Sequence, residues 1–211
     1  MVVSCTDGAA GRAQLWRSMV AWRIGGAAYF LAAVVPVLLF AGAYLAVRWQ
    51  RGSWLMPEAD AIFGTPAWGV ALLAAALSGP GEEPGWRGFA LRTVQRRHSA
   101  LAAALIVGVL WWIWHLPMFL YRVDVHPAQA LLFLVGLLAG SVWVSAVFNA
   151  SGGSVFAAML WHCVWNLASA IGRDFPPAVF LIMTSTVLVL AGLLIALWGP
   201  ARLAPRSPRT S

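Results

Sequence analysis

Residues 78–97, SGPGEEPGWRGFALRTVQRR, set two adjacent glutamates and an arginine inside a run otherwise rich in Ala, Leu, Val, Gly and Trp. A carboxylate buried in such surroundings is costly unless a partner or a reaction uses it. Glu83 and Arg87 stand four apart, the spacing of an ion pair along one helix face. Glu82 must then point elsewhere, because neighbouring residues diverge by about 100° around a helix axis. Farther along, His162 and Asn166 in MLWHCVWNLAS are also four apart, and His115 lies in WWIWHLPMF.

A carboxylate, two imidazoles and an amide form a hydrolytic set. A glutamate kept from bulk water can take a proton from a water molecule near neutral pH. One histidine can share or orient that water, and a second histidine with a neighbouring amide can donate hydrogen bonds to an oxyanion forming on a scissile carbonyl. Glu82, His115 and His162 could instead hold a divalent metal such as zinc that activates the water. No H-E-x-x-H pair occurs, so the soluble zinc-protease signature is absent, and the residue types alone fit both mechanisms.

The elements that must position these residues are long apolar runs. The chain is 61% hydrophobic and 10% charged, against about 45–50% and about 25% in soluble domains. Crossing a bilayer takes about 20 mainly apolar residues, and such runs cover 26–47, about 67–91, 100–118, 128–148, 153–171 and 178–198. The expected fold is therefore all-α, a polytopic transmembrane bundle of about six spans over 26–199. A basic cytoplasmic segment (1–25) precedes it and a disordered tail (200–211) follows. The first run is too long for a signal-peptide core and reads as a retained span. Pro36 predicts a kink in it, and Pro80, Gly81, Pro84 and Gly85 predict a kinked or broken helix around the glutamates.

All fourteen basic residues are arginine, as in a GC-rich bacterial genome, which points to a bacterial plasma membrane. With the N-terminus inside, ten arginines (12, 17, 23, 87, 92, 96, 97, 202, 206 and 209) face the cytoplasm and four (48, 51, 122 and 173) face out. The positive-inside rule thus predicts N-in and C-in. These clusters read as anchors facing lipid and not as a nucleic-acid patch. Cys5 and Cys163 form no disulfide framework, and Cys163 reads as a small buried hydrophobe. Counted at 1.5 Å per residue, Glu82, His162, Asn166 and His115 lie about 15, 14, 20 and 24 Å from the inner ends of their spans, compatible with one cluster. His98 and His126 fall in loops outside it. Trp111, Trp112 and Trp114 read as pocket lining or as core.

These residues resemble a family. EEPGWRG (82–88) is similar to the EExxxR motif of the CPBP intramembrane proteases, the CAAX-protease and bacteriocin-processing or Abi family, which includes the type II CAAX prenyl endopeptidases. WWIWHLPMF resembles its second motif, an aromatic residue shortly before a histidine followed by Leu-Pro, with Trp111 where Phe is commoner. HCVWN (162–166) matches its HxxxN/D motif, and NASGGSVFAAMLWH resembles the small-residue turn leading into it. The resemblance covers about 66–172, the expected protease core. It implies a membrane endopeptidase acting on a membrane-associated peptide or protein, in which Glu82 and His115 activate water. It further implies that His162 and Asn166 form the oxyanion pocket and that Glu83 and Arg87 support them. Two other readings compete: an ion or proton relay, which would predict repeat symmetry not seen here, and a catalytically silent scaffold or bacteriocin-immunity protein of the same fold. Oligomeric state has no signature.

Overall fold

The computed structural model describes residues 8–53, 66–121, 127–172 and 177–205, and every regular element in them is helical. In chain order these are α1 (Gly8–Met19), α2 (Gly26–Arg51), α3 (Pro66–Gly85), a π-helical segment (Trp86–Leu91) and α4 (Arg92–Gln95). They are followed by α5 (Ala100–Tyr121), α6 (Pro127–Ala150), α7 (Val155–Gly172) and α8 (Pro177–Trp198). Among the described residues four helices are long and apolar enough to cross a membrane: α2, Ala100–Phe119 of α5, Ala130–Ala150 of α6, and Ala178–Trp198 of α8. The two remaining expected spans are α3, which carries the glutamates, and α7, whose apolar part Val155–Ile171 is shorter. Helix α7 begins two residues later than the apolar run because Gly152 and Gly153 have φ of 72° and 84°. That left-handed turn suits glycine and ends the preceding helix.

The prolines act differently from the sequence expectation. Just upstream of Pro36, where a kink is expected, the helix has a π-helical stretch, Phe30–Val34. A proline ring crowds the carbonyl four residues before it, here Ala32, and the wider turn relieves this. Helix α3 is neither broken nor interrupted at Pro80 and Pro84; it runs unbroken to Gly85, and the departure from α geometry comes afterwards, at Trp86–Leu91. Pro80 has no N–H for the carbonyl of Ala76, and the Cys163 thiol of α7 donates to that oxygen instead at 3.0 Å. Cys163 is thus more than a small apolar filler: it supplies the donor that Pro80 lacks.

Helices α3 and α7 pack antiparallel and closely. They meet closely at Gly79, where a Cβ would lie 2.5 Å from the Met159 carbonyl oxygen and 2.6 Å from Cys163 Sγ. Behind α7, Trp161 and Trp165 stack with centroids 5.8 Å apart, and Trp143 of α6 meets Trp161 edge-on at 5.4 Å. These rings anchor an apolar core that also takes in Ala139, Val142, Ala157 and Ala158.

One end of the bundle gathers α1, α4, the α6–α7 turn and the residues after α8. Arg92 donates to the Gly153 carbonyl (2.6 Å), Ser154 to the Ala21 carbonyl (2.9 Å), and Asn149 to the Arg202 carbonyl (2.9 Å). Arginines 12, 17, 92, 96, 97 and 202 belong to these segments or adjoin them, so arginine is concentrated at this end of the bundle. The basic N-terminal segment carries helix α1, whose Leu15 packs near Gly88. Residues 200–205, read from composition as disordered, are packed: Leu203 is fully buried, and the carbonyls of Pro200 and Ala201 accept from the N–H groups of Leu101 and Ala100. Arg122, Arg173, His126, Cys5 and residues 206–211 lie outside the described residues.

The approach at Gly79 generates a test. Gly79→Ala forces a methyl into a backbone carbonyl and is expected to cost about 1–3 kcal/mol. Gly69→Ala on the same helix, where a Cβ meets nothing within 4 Å, should leave stability unchanged or slightly raised. Thermal unfolding of the two variants in detergent reads the difference, and equal melting would contradict the close approach.

Candidate active site

The two adjacent glutamates have opposite environments. Glu83 is fully buried, and its Oε1 accepts from Arg87 Nη1 at 3.0 Å and from His162 Nδ1 at 2.8 Å. Arg87, also fully buried, extends Nη2 to Ser141 Oγ (3.2 Å), and that hydroxyl donates to the Ala104 carbonyl (2.8 Å). The i, i+4 spacing puts Arg87 beside Glu83 even though the backbone between them passes into the π-helical segment. One buried carboxylate thereby joins α3 to α7, and its arginine carries the link on to α6 and α5. Glu83 Oε2 and Arg87 Nε find no partner among the described residues.

Glu82 turns the other way and is only partly buried. Its Oε2 accepts from the indole N–H of Trp111 at 2.7 Å and, more weakly, from that of Trp86 at 3.3 Å. Oε1 makes no hydrogen bond among the described residues. Trp111 is the shared neighbour of the whole cluster. Its ring meets His162 edge-on at 5.2 Å and His115 at 5.9 Å, and the Arg87 guanidinium lies 4.6 Å over it. Of the three tryptophans read as lining or core, Trp114 is 64% exposed and faces outward, whereas Trp111 is 5% exposed and central.

The histidines present distinct nitrogens. His115 Nδ1 lies 2.7 Å from the Trp111 carbonyl one turn back. A carbonyl only accepts, so Nδ1 carries the proton and the neutral ring keeps a lone pair on Nε2. His162 gives Nδ1–H to the Glu83 carboxylate, which fixes its orientation and leaves Nε2 for other partners. Asn166 Nδ2 donates to Ser78 Oγ at 2.7 Å, and Ser78 donates in turn to the Ala75 carbonyl at 2.7 Å. Ser78 stands one turn before Glu82, so α3 holds both the amide and the open carboxylate on neighbouring turns.

The structure therefore gathers Glu82, His115 and His162 around Trp111, and it ties Asn166 to the same helix through Ser78. Sequence reading missed Trp111, Ser78 and Ser141 as partners. The signal for Ser78 was its i, i+4 spacing to Glu82; nothing local points to Ser141. The metal alternative asks Glu82, His115 and His162 to converge on one point. Among the described residues no three His, Cys, Asp or Glu side chains form a group able to hold a metal ion. Glu82 Oε2 is taken by the indoles, and each histidine holds Nδ1 on a carboxylate or a carbonyl with Nε2 free, a disposition that ligating histidines also adopt. Among the described residues the free atoms of the set are therefore Glu82 Oε1 and the Nε2 atoms of His115 and His162.

Residues 63–168, which contain all of these side chains, match the family described as type II CAAX prenyl endopeptidase, Rce1-like. The chain belongs to that family. It is also similar to CAAX prenyl protease 2 of Methanococcus maripaludis, with 28% identity over 105 residues. That alignment covers 46% of this chain and 37% of the archaeal protein, so the chain spans well under half the length of that relative.

The buried pair offers a direct check. Arg87→Met leaves the Glu83 carboxylate without its cation and is expected to destabilise by about 3–5 kcal/mol. Arg87→Lys should recover only part of this, because a single ammonium lacks the planar fork that reaches Glu83 and Ser141 together. Melting temperatures in detergent that match wild type for both variants would show the pair to be dispensable.

Proposed function

We propose that this chain is an intramembrane endopeptidase that hydrolyses a peptide bond of a membrane-associated protein or peptide. The observation that carries the reading is the division between adjacent carboxylates: Glu83 is sealed against Arg87 and His162, while Glu82 keeps an unengaged oxygen and is bound to Trp111, the ring that both imidazoles contact. Glu82 Oε1 takes a proton from water as the oxygen adds to the scissile carbonyl carbon. The His115 Nε2 lone pair accepts from the same water and orients it. The oxyanion accepts hydrogen bonds from His162 Nε2–H and from the second Nδ2 hydrogen of Asn166. Donation there requires a proton on each ring nitrogen of His162, with Nδ1–H held on Glu83 at 2.8 Å. Collapse breaks the C–N bond, and the proton held by Glu82 passes to the departing amine.

Membership of a prenyl-endopeptidase family supports the reaction class. The four groups bear on a peptide carbonyl, so the substrate class proposed is the membrane-associated peptide itself.

The test is cleavage of a membrane-tethered reporter peptide by the purified protein in nanodiscs. Glu82→Gln keeps the size and the acceptor for Trp111 but removes the base, and should lower kcat by about 10²–10⁴-fold. Equal cleavage by both proteins would remove Glu82 from the mechanism, and no cleavage by wild type across a reporter panel would favour the silent scaffold. Activity is expected to persist after exhaustive chelation with metal content checked by elemental analysis; its loss, restored by added zinc, would overturn the metal-free reading.

A further inference from the structure

We propose that Trp111 is a positioning residue for the glutamate base: its indole N–H fixes Glu82 Oε2, so that Oε1 alone is presented to the attacking water. The inference rests on the reading in the preceding subsection and adds a residue and an atom to it.

A glutamate side chain has three rotatable bonds, and a partly buried carboxylate has no intrinsic reason to keep one orientation. Trp111 supplies the reason. Its N–H···O distance to Glu82 is 2.7 Å, short for a nitrogen donor and typical of a charge-assisted bond. The indole itself cannot turn away. It is 5% exposed, the Arg87 guanidinium covers its face at 4.6 Å, and both histidine rings contact it at 5.2 and 5.9 Å. Arg87 is in turn locked by Glu83 and Ser141. The orientation of the open carboxylate is thereby transmitted from the sealed one through a cation–π contact and one hydrogen bond. Trp86, four residues after Glu82 on the same helical run, gives a second, longer bond to the same oxygen. Both donors select Oε2, which leaves Oε1 as the free acceptor.

This role belongs to the heteroatom and not to the ring. A phenylalanine at 111 would retain the packing and the cationic contact in part but would have no donor for Glu82. Trp111→Phe and replacement of Trp111 by 3-benzothienylalanine, a tryptophan isostere with sulfur in place of N–H, separate the two. The second keeps the shape of the ring, so its folding should match wild type even if Trp111→Phe proves unstable. Both are assayed as full-length protein in nanodiscs on the tethered reporter, with Glu82→Gln alongside.

The expected result is a kcat lower by about 10- to 100-fold in the benzothienyl variant, the size of effect a slightly misplaced group produces, with KM within about twofold of wild type. A benzothienyl variant with wild-type kcat would overturn the inference, because the ring alone would then suffice. A raised KM with unchanged kcat would also overturn it, by making Trp111 a wall of the substrate site. Activity retained in Glu82→Gln would instead remove the base assignment itself, a failure distinct from that of Trp111.

Discussion

The buried carboxylate of Glu83 organises this molecule. Helices packed in lipid gain little from hydrophobic association with one another, since acyl chains are as apolar as leucine. Close packing and polar contacts therefore decide how α3 meets α7. The Gly79 contact brings the two backbones together, and Glu83 selects the register at which they meet, because only there can one oxygen accept from both Arg87 and His162. Such a cluster is weak evidence for net stability, since desolvation offsets much of the attraction. Its value is geometric: Arg87 and Ser141 extend the same choice to α5 and α6.

Once Glu83 is fixed, the rest of the cluster is constrained by helical geometry. Glu82 is turned about 100° away by its place in the sequence, out of the sealed interior and toward α5. Trp111 touches members of both sets: Arg87 and His162, which bind Glu83, and Glu82 and His115, which do not. Two carboxylates adjacent in sequence thus occupy separate environments, and a single indole ring touches the partners of both.

Much of this was legible from residue spacing. Apolar runs located the helices, and the i, i+4 relations of Glu83 with Arg87 and of His162 with Asn166 place each pair on a common face. What escaped was supplied by residues distant in sequence. Pro80 and Pro84 read as breaks because the local chain offers no substitute donor; Cys163, more than eighty residues later, donates to the carbonyl that Pro80 leaves free. The partner of His162 was equally hidden, since helical spacing says which residues share a face but not which face of another helix they meet. Trp111 was ambiguous because an indole in an apolar run serves as packing in most settings, and only the position of Glu82 reveals its N–H as a donor. Residues 200–205 have the composition of a free tail, yet main-chain carbonyls, to which composition is blind, attach them to α5.

That attachment bears on the order in which the site is assembled. Helix α5 carries Trp111 and His115, but the N–H groups of Ala100 and Leu101 in its first turn are closed by carbonyls of Pro200 and Ala201. During synthesis α5 enters the membrane about a hundred residues before those carbonyls exist. Until then its leading donors depend on water or lipid headgroups at the interface. The helix that carries Trp111 and His115 is therefore fully capped only after α8 has been inserted, which makes its completed first turn a late event in biogenesis.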